Sequence, residues 1–254
     1  MSIFNITFSP TGGTQKVADV LSASIDEDVI SINICEKKYD TMYTHFNLND
    51  ICLFAVPSFG GRVPPTAINR IRHMSGNGAR AIAVVVYGNR EQEDTLIELC
   101  DTLKSINFCV IAGIEAIAEH SVIRQFAAGR PDENDSIVLR DFAAQIREKI
   151  DNMTVPESIT VPGNTPYKEH GGSGMKPATN EACIKCGKCA DEGPVGAISS
   201  DDPSKTGSDN CISCMRCVHV CPKGARILDT KLVAFITEKL SKSCTERKNN
   251  RIFL

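Results

Sequence analysis

The chain has no tryptophan, few aromatic residues and no excess of basic charge. Aromatic residues make up 6% of its 254 positions, and the formal net charge is -3. A surface without a broad basic field does not favour binding to nucleic acid or to an anionic membrane. No apolar run approaches the length that spans a bilayer, and the N-terminus lacks the basic start and cleavage site of a signal peptide. We therefore expect a cytoplasmic protein that binds no nucleic acid and is not inserted in a membrane.

Cysteine, by contrast, is abundant, with 12 residues. In a reducing compartment, dense cysteine indicates metal binding rather than disulfides. Cys35, Cys52, Cys100 and Cys109 are scattered at no ligand spacing, and three of them lie in apolar runs, where a cysteine usually acts as a small buried hydrophobe. Seven more cysteines lie between residues 183 and 221. The metal is therefore expected in the second half of the chain.

The first 150 residues alternate between strand-like and helix-like patterns. The candidate strands, most of them short runs rich in Ile, Val and Phe, span residues 2–8, 29–34, 50–56, 79–87 and 107–116. Amphipathic segments separate them. This alternation predicts an α/β domain over residues 1–150, with a doubly wound, five-stranded parallel sheet covered by helices on both faces.

The pattern changes after residue 150. Residues 151–178 are rich in proline and glycine and predict a linker or an extended strap. Residues 179–228 hold the dense cysteines and too few apolar residues for a strong core, so metal is expected to stabilise a small α+β domain there. Residues 229–254 predict a helix and tail. The apolar face of that helix, which we expect to cover another domain, carries Leu232, Phe235, Ile236 and Leu240.

Two cysteine motifs repeat at an offset of 28 residues. The second motif contains Cys211, Cys214, Cys217, Cys221 and Pro222. It matches the C-x₂-C-x₂-C-x₃-C-P signature of bacterial two-cluster ferredoxins. The first motif contains Cys183, Cys186, Cys189 and Pro194, with Gly193 where the fourth cysteine belongs. Structural zinc sites usually combine two C-x₂-C pairs across a longer loop, so this spacing favours iron–sulfur clusters over zinc.

The fourth cysteine of each such motif binds the cluster of the other motif. Cluster one, a [4Fe-4S] cluster, is then held by Cys183, Cys186, Cys189 and Cys221. Cluster two is left with Cys211, Cys214 and Cys217, and its fourth position falls on Gly193. Three outcomes remain open there: a [3Fe-4S] cluster, a [4Fe-4S] cluster with one iron bound by water, a small ligand or a carboxylate such as Asp191 or Glu192, or no cluster. The three remaining thiolates favour the first two outcomes.

Three polar, glycine-containing loops follow the first, third and fourth candidate strands. They span residues 9–14, 57–64 and 87–90. Ligands bind beyond the carboxyl ends of the strands in open parallel sheets, so the loops should meet at one edge. The first loop precedes a helix, whose N-terminus favours a phosphate, although an ordinary strand–helix turn would look similar. Phe59 is an aromatic residue in a glycine-rich loop, where it either lies against a flat ring or packs within the loop.

With these motifs the chain resembles bacterial and archaeal proteins in which a flavodoxin-like domain is fused to a two-cluster ferredoxin domain. Besides the cysteine motifs, the resemblance rests on residues 8–14, 57–64, 86–90, 119–121 and 129–132. It implies an FMN cofactor. The phosphate would be held by Ser9, Thr11, Gly12, Gly13 and Thr14, and the ring system would be bordered by Ser58, Phe59, Gly60, Tyr87, Gly88, Asn89 and Arg90. One departure is that Glu91 and Gln92 stand where flavodoxins commonly place a stacking aromatic, so the stack is either missing or supplied by Tyr87.

These cofactors predict electron transfer between FMN and iron–sulfur clusters, which links one- and two-electron carriers, with redox proteins as partners. FMN and cluster one are expected to form the intact relay. An FMN- and iron–sulfur-dependent reductase of a small molecule is the alternative, although no G-x-G-x-x-G nicotinamide fingerprint follows a strand. In a third hypothesis the clusters act only as structural staples. His120, near the end of a strand, is interpreted as structural.

Overall fold

A computed structural model of the chain describes residues 2–153, 159–171, 174–207 and 210–254. Residues 154–158 and 172–173, which include Pro156 and Gly172 of the predicted linker, lie outside the described residues. The elements of the first part are β1 (Ile3–Thr7), α1 (Gly13–Ile25), β2 (Val29–Asn33), a 3₁₀ turn (Lys37–Asp40), β3 (Thr44–His45), β4 (Ile51–Pro57), α2 (Pro65–Ile71), β5 (Met74–Ser75), β6 (Arg80–Tyr87), α3 (Thr95–Ser105), β7 (Cys109–Ile117) and α4 (Glu133–Asn152). The second part contains β8 (Ala178–Thr179), α5 (Lys188–Asp191), α6 (Arg216–Val220), β9 (Arg226–Ile227), α7 (Thr230–Cys244) and β10 (Arg251–Phe253).

The main sheet has the strand order β10-β7-β6-β4-β1-β2. Its five strands from the first part run parallel. They coincide with the five candidate strands, so the predicted α/β sheet is confirmed. The order β2-β1-β4-β6-β7 is that of the flavodoxin-like fold, with its switch point between β1 and β4. The sheet is larger than predicted, because β10 at the C-terminus pairs antiparallel with the edge strand β7.

Both faces of the parallel sheet are covered. On one face Leu21 of α1, Leu139 of α4 and Val84 of β6 belong to one apolar cluster, and all three are fully buried. On the other face Ile71 of α2 and Leu99 of α3 belong to a second buried cluster. Each such side chain contributes on the order of 2 kcal/mol when removed from water. The core therefore holds the loops at the carboxyl edge on a rigid base.

Part of the predicted linker forms an extended strap, residues 164–168, that lies alongside α3. Asp94, just before α3, accepts hydrogen bonds from the backbone N–H groups of Asn164 (2.8 Å) and Lys168 (2.7 Å). The Tyr167 hydroxyl donates to Asp101 at 2.6 Å. Residues 164–168 thus lie against α3 and the residue before it, while the linker and the domain boundaries at residues 150, 178 and 228 stay a prediction.

The cysteine-rich part packs against the sheet domain. It has one small antiparallel pair, β8 with β9, and a small apolar cluster that includes Ile198 and Val220. Arg216 donates to the carbonyl oxygen of Pro10 at 3.0 Å, and Lys37 donates to that of Ala190 at 3.0 Å. These contacts join the two parts directly.

The C-terminal segment returns to the sheet domain. The Asn89 side-chain amide donates to the carbonyl oxygens of Cys244 (2.7 Å) and Glu246 (2.8 Å). Arg247 forms an ion pair with Asp132 at 2.8 Å. These contacts fix the end of α7 and lead the chain into β10. No helix in the described part of the chain is long and apolar enough to cross a membrane.

Candidate functional site

A cavity of about 600 Å³ lies at the carboxyl edge of the parallel strands. Its volume falls in the range of ligand sites that hold a small organic cofactor. The wall formed by the sheet domain includes Thr11, Gly13, Thr14, Ser58, Phe59, Gly60, Tyr87, Gly88, Arg90 and His120. The rest of the wall comes from the strap, from residues 212–214 and from α7. The structure therefore brings the three predicted loops together around one site.

The N-terminus of α1 forms the end of the cavity where the sequence predicts a phosphate. Gly12 caps this helix in the left-handed conformation, with φ at +88°. The Ser9 hydroxyl accepts a hydrogen bond from the N–H of Gln15 at 2.9 Å. The N-cap residue Gly12 makes no side-chain hydrogen bond to α1, and the first turn of the helix holds no acidic residue. This positive helix end suits a phosphate, and Ser9 and Gly12 shape the loop without lining the cavity.

Gly88 and His120 form the other side of the cavity. A Cβ at Gly88 would lie 2.6 Å from Cδ2 of His120, so the close approach requires glycine. Nδ1 of His120 accepts hydrogen bonds from the N–H groups of Val122 (3.2 Å) and Ile123 (3.1 Å). Burial lowers the pKa of His120, and Arg90 lowers it further. The ring is therefore neutral with its proton on Nε2, and it both orders its own loop and lines the cavity.

The polar groups beside the predicted ring site are held in fixed positions. The Ser58 hydroxyl lies 2.8 Å from the Thr95 hydroxyl. Burial raises the pKa of Tyr87 to about 12, so its phenol stays neutral. Arg90 donates to Glu93 at 2.9 Å and 3.2 Å. On this side the cavity thus presents the uncharged hydroxyls of Ser58 and Tyr87 and the paired guanidinium of Arg90.

Asn89 differs from the prediction. Its side chain is buried and holds the backbone of the C-terminal tail, and it does not line the cavity. The reason is that Asn89 takes a left-handed conformation, with φ at +66°, which separates its direction from those of Gly88 and Arg90. Its side chain therefore anchors the tail.

Helix α7 forms the wall opposite the sheet loops, a contribution to the site that sequence reasoning missed. Its predicted apolar face lines the cavity through Leu232, Phe235, Ile236 and Leu240. Phe235 is 63% exposed, which is unusual for a phenylalanine that lines a site. The apolar periodicity predicted a covering helix, but the sequence contained no signal for which surface it covers. The loop after β6 has no aromatic residue directly after Arg90, where Glu91 and Gln92 stand. Phe235 of α7 brings an aromatic side chain to the cavity instead.

The ferredoxin cysteines line two hollows. Hollow one includes Cys183, Cys186, Cys189 and Cys221, the four residues assigned to cluster one. Hollow two includes Cys211, Cys214 and Cys217, together with Gly193 and Cys189. Among the described residues, no three His, Cys, Asp or Glu side chains converge on one point that would hold a single metal ion. The grouping of the thiols follows the crossed pattern of two-cluster ferredoxins.

Hydrogen bonds and burial set the character of these thiols. Sγ of Cys221 accepts from the N–H of Ala225 at 3.2 Å, and Sγ of Cys189 accepts from Arg226 at 3.6 Å. Burial raises the pKa of Cys214 to about 12 and that of Cys217 to about 11. Such thiols become thiolates when a metal displaces the proton. The donor set therefore fits iron–sulfur clusters, with polar donors aimed at sulfur in hollow one.

Cys214 lines the cavity as well as hollow two. The residues assigned to cluster two therefore lie beside the cavity, and the expected relay of FMN with cluster one stays a prediction. The crossed ligand pattern could be read from the motifs. The docking that brings residues 212–214 to the cavity depends on contacts such as that of Arg216 with Pro10, which have no sequence signature.

Residues 182–225 match the family model of the 4Fe-4S dicluster domain. Among curated proteins nothing matches. Similar solved structures include the flavodoxin of Streptococcus pneumonia TIGR4 (17% identity, TM-score 0.41, 58% of this chain and 99% of that chain) and a flavodoxin from the domain Archaea (13%, 0.39, 60% and 100%). Another is the rubredoxin oxygen:oxidoreductase of the anaerobe Desulfovibrio gigas (14%, 0.43, 59% and 36%).

At these TM-scores the structural likeness carries no argument of its own, and the fold assignment rests on the strand order. The chain combines a flavodoxin-like domain with a dicluster ferredoxin domain. This combination supports an electron-transfer role, and the dicluster ferredoxin domain supports iron–sulfur clusters.

Proposed function

We propose that the chain carries electrons between FMN in the cavity and the two iron–sulfur clusters, in the order FMN, cluster two, cluster one. The observation that supports this order is a pair of shared cysteines. Cys214 lines both the cavity and hollow two, and Cys189 lines both hollow two and hollow one. The three sites therefore form one continuous series.

When bound, FMN would exchange one or two electrons, while each cluster would exchange one. The protein supplies the positions. The N-terminus of α1 would hold the phosphate, with Thr11 and Thr14 beside it. The neutral Tyr87 and His120 would border the ring without adding charge, and α7 would limit the access of water.

Redox proteins are the proposed partners, and hollow one is the proposed exit. Cys186 in its wall is exposed, and the neighbouring Ile184 is 59% exposed. An exposed apolar side chain beside a cluster suits brief contact with another redox protein, since weak redox complexes use small interfaces.

Anaerobic reconstitution followed by a reductive titration tests the proposal. We expect stoichiometric FMN, iron and acid-labile sulfide, and reduction of flavin and clusters in the same titration. Protein with neither flavin nor acid-labile sulfide would overturn it. Rapid turnover of small acceptors without any protein partner would favour the reductase alternative, and clusters that could not be reduced reversibly would favour structural staples.

A further inference from the structure

Hollow two contains the three cysteines assigned to cluster two, and its other cysteine, Cys189, is assigned to cluster one. A Cβ at Gly193 would lie 2.9 Å from the carbonyl oxygen of Cys189, a backbone contact that real side chains avoid. A cysteine at position 193 would therefore require the backbone to move. A fourth cysteine ligand for cluster two has to come from another part of the chain.

Arg70 of α2 brings one candidate segment to this position. Its side chain is 1% exposed and donates from Nη1 to the carbonyl oxygen of Ile34 at 2.8 Å and from Nη2 to that of Pro194 at 2.6 Å. Both nitrogens belong to one planar guanidinium, so the two carbonyls lie side by side. Ile34 precedes Cys35, and Pro194 follows Gly193. Cys35 of the flavodoxin-like domain is thus a neighbour of the position that lacks its cysteine.

The thiol of Cys35 lies on the side of the ferredoxin domain. Cys35 follows β2, is 8% exposed, and its Sγ accepts from the N–H of Ser9 at 3.2 Å. The next residue, Pro10, accepts a hydrogen bond from Arg216, which stands between Cys214 and Cys217. The Cys35 thiol is therefore one loop away from hollow two.

A second contact across the interface gives the same neighbourhood. Lys37, two residues after Cys35, donates from Nζ to the carbonyl oxygen of Ala190 at 3.0 Å. Ala190 stands three residues before Gly193. The segment that carries Cys35 therefore contacts the chain on both sides of the position that lacks its cysteine.

We propose that Cys35 supplies the fourth thiolate of cluster two, across the interface between the two domains. The proposal rests on the assembly of cluster two, which is part of the proposed function. When it binds, the Cys35 thiol releases its proton to solvent, a bond forms between Sγ and iron, and that iron gives up a water ligand. No electron is transferred in this step. Cluster two is then a complete [4Fe-4S] cluster that ties the ferredoxin domain to the flavodoxin-like domain.

The test uses the full chain, reconstituted anaerobically with isotopically enriched iron, as wild type and as Cys35→Ala, Cys35→Ser and Cys52→Ala. Cys52 is the matched control, because it is a buried cysteine of the same apolar cluster. Mössbauer and EPR spectra should show two four-iron clusters in the wild type and in Cys52→Ala. Cys35→Ala should lose one iron from cluster two and show the EPR signal of an oxidised three-iron cluster. Cys35→Ser, which retains an oxygen ligand, should keep four irons with altered Mössbauer parameters.

A wild-type protein that already holds a three-iron cluster would overturn the proposal. So would a cluster two whose fourth iron carries water, detected by ENDOR in isotopically labelled water. These two wild-type measurements decide the question even if Cys35→Ala fails to fold. FMN and cluster one are read from their own signals in every sample, so loss of the Cys35 assignment can be told apart from loss of the electron-transfer function.

Discussion

Replacing Phe235 with alanine should weaken FMN binding, because α7 forms the wall opposite the flavin loops. The Phe235 side chain is 63% exposed and lines the cavity together with Phe59 and Tyr87. A flat ring bound there would cover it. Covering a phenylalanine contributes about 1.5–3 kcal/mol when complete, and contact between aromatic rings adds about 1 kcal/mol.

Because part of this side chain would stay in contact with solvent, we expect a loss of about 2 kcal/mol, or roughly 30-fold in Kd. The assay is quenching of FMN fluorescence during titration of flavin-free protein with its clusters intact. Tyr43→Ala is the matched control. Tyr43 is 69% exposed and lies outside the cavity, with its ring centroid 5.0 Å from that of His73. An unchanged Kd for Phe235→Ala, or an equal loss for Tyr43→Ala, would show that α7 does not contribute to the flavin site.

Two further substitutions test the sheet edge and the cavity wall. Arg251→Ala removes the cation, itself 55% exposed, that donates to the buried Glu115 at 2.7 Å. We expect a loss of about 2 kcal/mol, or roughly 6 °C in the apparent Tm at pH 7, after discounting for the exposure of the arginine. Burial raises the pKa of Glu115 and Arg251 lowers it, so removal of Arg251 should raise that pKa further. The cost of the unpaired buried carboxylate is then present at pH 7 and is lost as the pH falls and the carboxyl takes up a proton. The deficit should therefore shrink towards pH 5 in thermal melts, while Arg140→Ala, in an exposed ion pair, should change the Tm little at either pH. Gly88→Ala places a Cβ 2.6 Å from the His120 ring and should raise the Kd for FMN at least tenfold in the same fluorescence titration, and an unchanged Kd would contradict the placement of that loop.

The parallel sheet could be predicted because its strands are buried on both faces. In β6, residues 81–87 are all buried. A short continuous apolar run of this kind is typical of a parallel strand that is covered on both faces. The strand β10 could not be predicted in the same way. It has three residues, and it is held by the pairing of Arg251 with Glu115, a partner far away in the sequence.

The residues of the candidate site also fall into a predictable group and an unpredictable one. Thr11, Ser58 and Gly88 could be predicted because strand order alone brings their loops to one edge. The direction of the Asn89 side chain, the position of Phe235 over the cavity and the placement of Cys214 beside it depend on how separate segments dock. The way these segments pack together depends on contacts between residues far apart in the sequence, and local sequence patterns do not predict such contacts.

The most direct test of the proposed relay is pulsed EPR of the partly reduced protein, in which the FMN semiquinone and reduced cluster two are both paramagnetic. If Cys214 joins the cavity to hollow two, the semiquinone should relax much faster than it does in the same protein without clusters, and the enhancement should reflect cluster two more than cluster one. A semiquinone that relaxes as it does without clusters would contradict the order FMN, cluster two, cluster one.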